Sequence, residues 1–413
     1  MIKNLSIISK VLLVTSTLLV FILSTSCSKD KTNSHVRVES CTESKIKKVT
    51  SQLSSENKKT FSYTYKQVCN NAKTTIIYIP GGPGQGSIDS SQIKSLNVAN
   101  VIYTDPRGVG RNFNYWKSDV DGTYLTTKNL ALDIINVIKK ENLSNYIIYG
   151  HSYGTVLATV LTHLIEARKD LNDPQSIVLE GTLGKALVVS EQRDAGNRLI
   201  KHFESTNEFC LHCKLQPYIS KYSSSEVGHL GQTLLSAGVD AENIFKHLEE
   251  SNKIKTTLKK NLESILAKGG LDLYNKVACN ELDPTGFILD HYEDRKYIQV
   301  SGGSCENIDM KDPFNSRDFQ VRAPIFYITG THDISTPAKQ ALHHYQQQPF
   351  SQKTFICVQG GGHEAMSYNI QGCSRNILNS IVQDDHKSLK KSLTNCRLKT
   401  EIISPQECIK SAP

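Results

Sequence analysis

Two hydrophobic rhythms alternate along the chain. Residues 60–68 and 74–79 form short blocks rich in β-branched and aromatic side chains, and residues 100–104 read NVIYT. Each is strand-length and predicts a β-strand. Residues 128–141 space their apolar positions along one helical face, residues 146–149 read YIIY, and an apolar helix runs from the turn that follows to about residue 167. Residues 176–179 (SIVL) add another strand. The pattern returns with a strand at 324–329, a helix at 337–346, a strand at 354–358 and a closing helix at 374–382. Strands alternating with helices at this spacing predict a parallel, doubly wound α/β sheet.

From about residue 183 to residue 318 the rhythm stops, leaving loops and helical stretches such as 242–268 but no βα repeat. An insertion of that length after the strand at 176–179, taken as the sixth strand of the sheet, predicts a helical cap over the end of the sheet. The core is then residues 59–182 and 319–385, with a cysteine-containing tail at 386–413.

The N-terminus has its own logic. Lys3 and Lys10 precede an apolar run at residues 11–23, and Ser24-Thr25-Ser26 leads into Cys27. A charged start, a short apolar stretch and small residues before a cysteine resemble a bacterial lipoprotein signal. Residues 1–26 are then a signal peptide, Cys27 carries the lipid, and residues 27–58 are a tether and lead-in. An ordinary signal peptide or an uncleaved anchor remains open. In each case the chain is expected to be exported, and a lipid would hold it on a membrane in the bacterial cell envelope. The formal charge of +8 is spread over single lysines and short pairs, which suits a solvated surface and no nucleic-acid partner.

Of the eleven cysteines, ten remain once Cys27 is set aside, an even number that suits disulfides in an exported chain. Proximity alone pairs Cys41–Cys69, Cys210–Cys213, Cys279–Cys305, Cys357–Cys373 and Cys396–Cys408. Cys210-x-x-Cys213 has no second such pair to complete a zinc site, so a structural bridge is expected and no metal.

The candidate chemistry centres on Gly150-His151-Ser152-Tyr153-Gly154, set between the YIIY strand and an apolar helix. A serine on so tight a turn exposes its Oγ at a helix N-terminus, where backbone N–H groups favour developing negative charge. The glycine-rich residues 80–86 (PGGPGQG) fail the dinucleotide fingerprint, because Ser87 stands at its third glycine. They suit close backbone approach to a ligand instead. Downstream, Asp333 and His363 each follow a predicted strand, and the order Ser152, Asp333, His363 is the one expected of a triad on such a sheet. His363 would take the Ser152 proton and Asp333 would orient the imidazole, with no cofactor. Asp105 and Arg107 are expected to brace a loop through a salt bridge.

These segments together resemble the α/β-hydrolase family of serine peptidases that includes the proline iminopeptidases and the secreted tripeptidyl aminopeptidases. The likeness rests on PGGPG at 80–84, DPRGVG at 105–110, GHSYG at 150–154, GTHDISTP at 330–337 and GGGH at 360–363. Pro80 stands where iminopeptidases usually have histidine, which is closer to the tripeptidyl branch. The resemblance implies oxyanion donors from the backbone of Gly82 and Tyr153, and a cap that selects peptides with a free N-terminus. The family's amine-binding glutamates have no residue-by-residue match in the cap. Glu180 ends the strand beside the nucleophile strand and is the candidate carboxylate for the α-amine. The expected function is an exported aminopeptidase working through an acyl-enzyme. A carboxylesterase with the same triad, or an inactive surface-binding lipoprotein, is the alternative.

Overall fold

The computed structural model describes residues 41, 43–89, 94–113, 124–186, 189–259, 266–282, 287–288, 299–300, 310 and 312–413. The signal segment, Cys27 and the tether to residue 40 lie outside them.

The strands are β1 (Lys45–Gln52), β2 (Thr60–Val68), β3 (Thr75–Ile79), β4 (Asn100–Thr104), β5 (Tyr146–His151), β6 (Ser176–Glu180), a small hairpin of β7 (Phe287–Ile288) and β8 (Gln299–Val300), then β9 (Ile325–Gly330), β10 (Lys353–Val358) and β11 (Thr400–Ile402). Nine of them form one sheet in the order β1-β2-β4-β3-β5-β6-β9-β10-β11. The stretch from β4 to β10 is parallel, and antiparallel pairs flank it at both ends.

Because successive strand residues point to opposite faces, the same strands feed two cores. Ile77, Tyr146, Ile148, Ile177, Tyr327 and Phe355 pack on one side with α1 (Thr127–Lys140) and α2 (Tyr153–Glu166). Ile76, Ile147, Val178, Phe326 and Ile356 pack on the other. Fully burying one such side chain stabilises by roughly 1.5–3 kcal/mol, so each face anchors the sheet firmly.

After β6 come α3 (Val189–Thr206), α4 (Leu211–Ile219), α5 (Ser224–Leu235), α6 (Ala241–Glu250) and α7 (Ile254–Leu258). They share a separate apolar core that includes Leu199, Phe203, Leu215, Leu230 and Phe245. The expected single helix at 242–268 is broken: α6 ends at Glu250, and Asn252 has φ 53°. A left-handed asparagine stops a helix where a continuous apolar stripe would suggest none. The chain returns through α8 (Ala338–Gln347), α9 (Gln371–Val382), α10 (His386–Leu393) and α11 (Pro405–Lys410).

The lead-in and the tail both hold regular elements. β1 occupies the middle of the expected tether, and the tail carries α10, β11 and α11. Among the described residues, no helix is long and apolar enough to cross a membrane.

The disulfides correct two of the pairings. Cys41–Cys69 and Cys210–Cys213 form as expected. Cys279 is also disulfide-bonded, and its expected partner Cys305 lies outside the described residues. In place of Cys357–Cys373 and Cys396–Cys408, the structure has Cys357–Cys408 and Cys373–Cys396. The strand period of two explains this. Phe355 and Cys357 face the first core together with Cys408 of α11, while Cys373 of α9 packs in the second core with Ile356 and Val358. The sheet itself separates Cys357 from Cys373. Several disulfides in one chain indicate an oxidising environment.

Arg107 and Asp105 do brace the structure, but not through one another. Arg107 is fully buried and donates from Nε to Asp133 Oδ2 at 2.7 Å and from Nη2 to Asp133 Oδ1 at 2.7 Å. Asp105 instead accepts the backbone N–H groups of Ser87, Ile88 and Arg111.

Candidate active site

β5 ends at His151 and α2 begins at Tyr153, so Ser152 alone makes the turn between them. Its φ of 55° and ψ of −125° are a left-handed, strained backbone for a serine. The flanking glycines are needed sterically. A Cβ on Gly150 would lie 2.3 Å from the Gly154 carbonyl oxygen, and one on Gly154 would lie 2.3 Å from that of Ile79. The Ser152 N–H donates to the Glu180 carbonyl at 2.9 Å, which ties the turn to β6. Tyr153 opens α2, where N–H groups have no intrahelical acceptor and the helix dipole is positive. The loop containing Gly82 runs against this turn: a Cβ on Gly81 would sit 2.9 Å from that of Ser152.

β9 and β10 are parallel neighbours, so the loops that follow them carry Asp333 and His363 side by side. His363 Nδ1 lies 3.0 Å from Asp333 Oδ2 and 3.1 Å from Oδ1. Asp333 also accepts the N–H groups of Ser335 and Thr336 at 2.9 Å and the Thr336 hydroxyl at 2.6 Å. Burial pushes the Asp333 carboxyl up, but the charge and hydrogen bond of His363 and the Thr336 hydrogen bonds outweigh it and hold the group below the usual range. An ionised Asp333 fixes the hydrogen on His363 Nδ1 and leaves Nε2 as the acceptor. For His363, burial pushes the imidazole down. The Asp333 charge and hydrogen bond outweigh that, with smaller help from Glu364 and Glu180, and the net direction is up.

The His363 ring reaches back over the end of β6, where a Cβ on Gly181 would lie 3.0 Å from Cε1. It sits beside the ring of His151, 5.0 Å between centroids, one residue from Ser152. The structure thus brings the three residues to one sheet edge. No hydrogen bond joins Ser152 Oγ to His363 among the described residues, which is common before substrate draws a triad together. Thr336 belongs to the group and was not singled out from the sequence. Its Oγ1 lies 3.2 Å from His363 Nδ1 as well as binding Asp333. An aspartate followed three residues later by threonine was the available signal.

The comparisons with known proteins agree with this architecture. The family model for the alpha/beta hydrolase fold matches residues 74–369. The chain belongs to the α/β-hydrolase family. Among solved structures, the proline iminopeptidase of Mycobacterium smegmatis is 13% identical with a TM-score of 0.46, the match covering 82% of this chain and 98% of its own. A thermophilic esterase from Thermogutta terrifontis is 14% identical with a TM-score of 0.42, covering 84% and 99%. A bromoperoxidase from Bacillus anthracis is 14% identical with a TM-score of 0.42, covering 82% and 100%. No curated protein matches the chain in sequence.

In this hydrolase Glu180 is 4% exposed and both its oxygens are engaged. Oε2 accepts from the Tyr149 hydroxyl at 2.6 Å and Oε1 from the Met366 N–H at 2.8 Å. It braces the nucleophile strand against the segment after His363.

A second buried carboxylate, Glu281 of the insertion, is linked through Thr127 to the Tyr153 side chain. Glu281 accepts from the Thr127 N–H at 3.0 Å and from the Thr127 hydroxyl, which lies 2.7 Å from the Tyr153 hydroxyl. No local pattern could have revealed a contact between residues 154 apart in sequence. Burial pushes the Glu281 carboxyl up to about 7, against the pull of the two Thr127 hydrogen bonds. The folded protein therefore keeps a proton that the unfolded chain releases near its ordinary 4.5. Stability from this group is full below the unfolded value and is lost as pH rises toward the folded one. The loss is on the order of 3 kcal/mol. Glu281→Gln stays neutral throughout, so in denaturation series from pH 5 to 8 the variant should gain on wild type as pH rises. The opposite trend would reject the assignment.

Proposed function

We propose that the chain is an exported serine hydrolase, lipid-anchored through Cys27 to a membrane of the bacterial cell envelope, that removes N-terminal residues or short peptides. The observation that carries the reading is the Asp333–His363 hydrogen bond set beside the strained Ser152 turn. Ser152 Oγ attacks the scissile carbonyl while His363 Nε2 takes its proton. The carbonyl becomes an oxyanion facing the N–H groups of Gly82 and Tyr153. The proton then passes from His363 to the leaving amine, which departs as the acyl-enzyme forms. Water, deprotonated by His363, releases the acyl group and restores Ser152.

Specificity must come from what covers the triad, since the same residues cleave esters and amides alike. The helical insertion is the cap in this reading, admitting a chain end and excluding the middle of a folded protein. A charged α-amine in a partly desolvated pocket needs a carboxylate. Glu180 could serve only by exchanging the Tyr149 or Met366 contact for the amine. The exposed Glu364, next to His363 in sequence, is the alternative carboxylate. The engaged state of Glu180 is also the observation that favours a carboxylesterase as the second reading. Purified protein offered free and N-acetylated peptides beside simple esters decides between them. N-acetylation should abolish peptide cleavage; equal cleavage of both forms would reject the aminopeptidase and leave the esterase or an endopeptidase.

A further inference from the structure

The turn between α5 and α6 is hydrogen-bonded directly to the loop that carries His363. Its Ser236 carbonyl accepts the N–H of His363 at 3.0 Å, and its Val239 N–H donates to the Gly360 carbonyl at 3.1 Å. The backbones are so close that a Cβ on Gly362 would lie 2.0 Å from the Ser236 oxygen. At Gly362 no side chain would fit between the insertion and the histidine loop.

Asp240 ends this turn and is 8% exposed. Its Oδ2 accepts from Asn369 Nδ2 at 3.0 Å, and its Oδ1 accepts from Arg397 Nη1 at 2.8 Å, with Arg397 Nη2 donating to Oδ2. Asn369 is 1% exposed, and its Oδ1 accepts the N–H of Gly362 at 2.8 Å. The carboxylate thus dictates the amide's orientation: Nδ2 must face Asp240, so Oδ1 must face Gly362. Arg397 follows Cys396, which is bridged to Cys373 of α9, so the backbone from which the guanidinium extends is anchored. Three separated parts of the chain meet here: insertion, histidine loop and C-terminal segment.

We propose that Asp240 is a positioning residue for His363, acting through Asn369 and the Gly362 N–H, with Arg397 holding its carboxylate. The proposal rests on reading His363 as the general base, but on no choice between peptide and ester. The insertion then sets the height and tilt of the imidazole over Ser152 in addition to shaping the substrate pocket. Displacing a base by a fraction of an ångström costs rate without costing substrate affinity, and about 1 Å can cost 100-fold.

The test uses the full-length protein with a 4-nitrophenyl ester and a fluorophosphonate, which need the triad and little of the pocket. Active sites are titrated with the phosphonate so that kcat is per competent site. Asp240→Asn turns one oxygen into a donor facing Arg397 or Asn369. It should lower kcat by about tenfold or more, leave KM within about twofold, and move the acid limb of the kcat/KM pH profile that reports His363. Arg397→Gln keeps the carboxylate and is the milder variant should Asp240→Asn fold poorly; it should shift the same limb in the same direction with a smaller fall in kcat. An unchanged kcat and pH limb per titrated site in both variants would overturn the proposal. So would a loss fully explained by fewer titratable sites, or a change confined to KM. Wild-type protein inert to both probes would instead remove the premise that His363 acts as a base, and the proposal with it.

Discussion

Ser152→Ala is expected to abolish hydrolysis while leaving the protein folded. The backbone at residue 152 has φ 55° and ψ −125°, a strain that serine and alanine bear equally, so the substitution adds none. The Cβ that packs against Gly81 is retained. Only Oγ is lost, and with it the atom that would bond to the acyl group. Removing a triad nucleophile costs on the order of 10⁴-fold or more in kcat, the remainder coming from oxyanion donors and binding. Fluorophosphonate labelling should vanish in parallel, with thermal denaturation near that of wild type. Turnover close to wild type would show that another group is the nucleophile. Loss of labelling together with loss of folding would call for Ser152→Cys, which keeps a nucleophilic atom at the same Cβ.

Six of the strands legible in the sequence share one physical property: both of their faces are buried. β3, β4, β5, β6, β9 and β10 are apolar runs because helices cover the sheet on each side, and their ends were placed within a residue or two. The nucleophile turn was legible because its steric demands fall on neighbours in sequence, Gly150 and Gly154. Asp333 and His363 were legible as an ordered set because each follows such a strand. β1 was not. It reads KIKKVTSQ at the sheet edge, with only Ser51 buried, so there is almost no hydrophobic signal to find. β11 spans only Thr400–Ile402, too short for a period to show.

Contacts chosen by the fold were hidden for a different reason. The partner of Cys357 is set by the face it occupies, and proximity in sequence says nothing about faces. Asp240 and Asn369, like Glu281 and Thr127, meet only after the insertion has docked. Their local patterns are those of ordinary helix ends.

Arg107 gives the largest stability effect expected outside the site. Its guanidinium and the Asp133 carboxylate are both 0% exposed, and the pair is bidentate. Arg107 also donates to the carbonyls of Gln52 at 3.1 Å and Asn129 at 3.0 Å, and sits 5.1 Å from the centre of the Phe61 ring. It therefore joins the end of β1, the loop after β4 and α1. Arg107→Met should fill similar volume yet leave Asp133 in the core without its cation. Breaking a buried pair from one side costs about 3–5 kcal/mol, a large share of the roughly 5–15 kcal/mol that stabilises a typical native protein. Burial already pushes the Asp133 carboxyl up even with Arg107 beside it. Without the guanidinium, folding would require it to take up a proton, so the variant should be less unstable at pH 5 than at pH 8. Replacing both members, Arg107→Met with Asp133→Leu, removes the uncompensated charge and should recover part of the loss. Recovery would be incomplete, because the Gln52 and Asn129 carbonyls still lack their donor. Urea denaturation with an unchanged slope reads these differences directly. If the single variant were as stable as wild type, the buried pair would not be what holds β1 to α1.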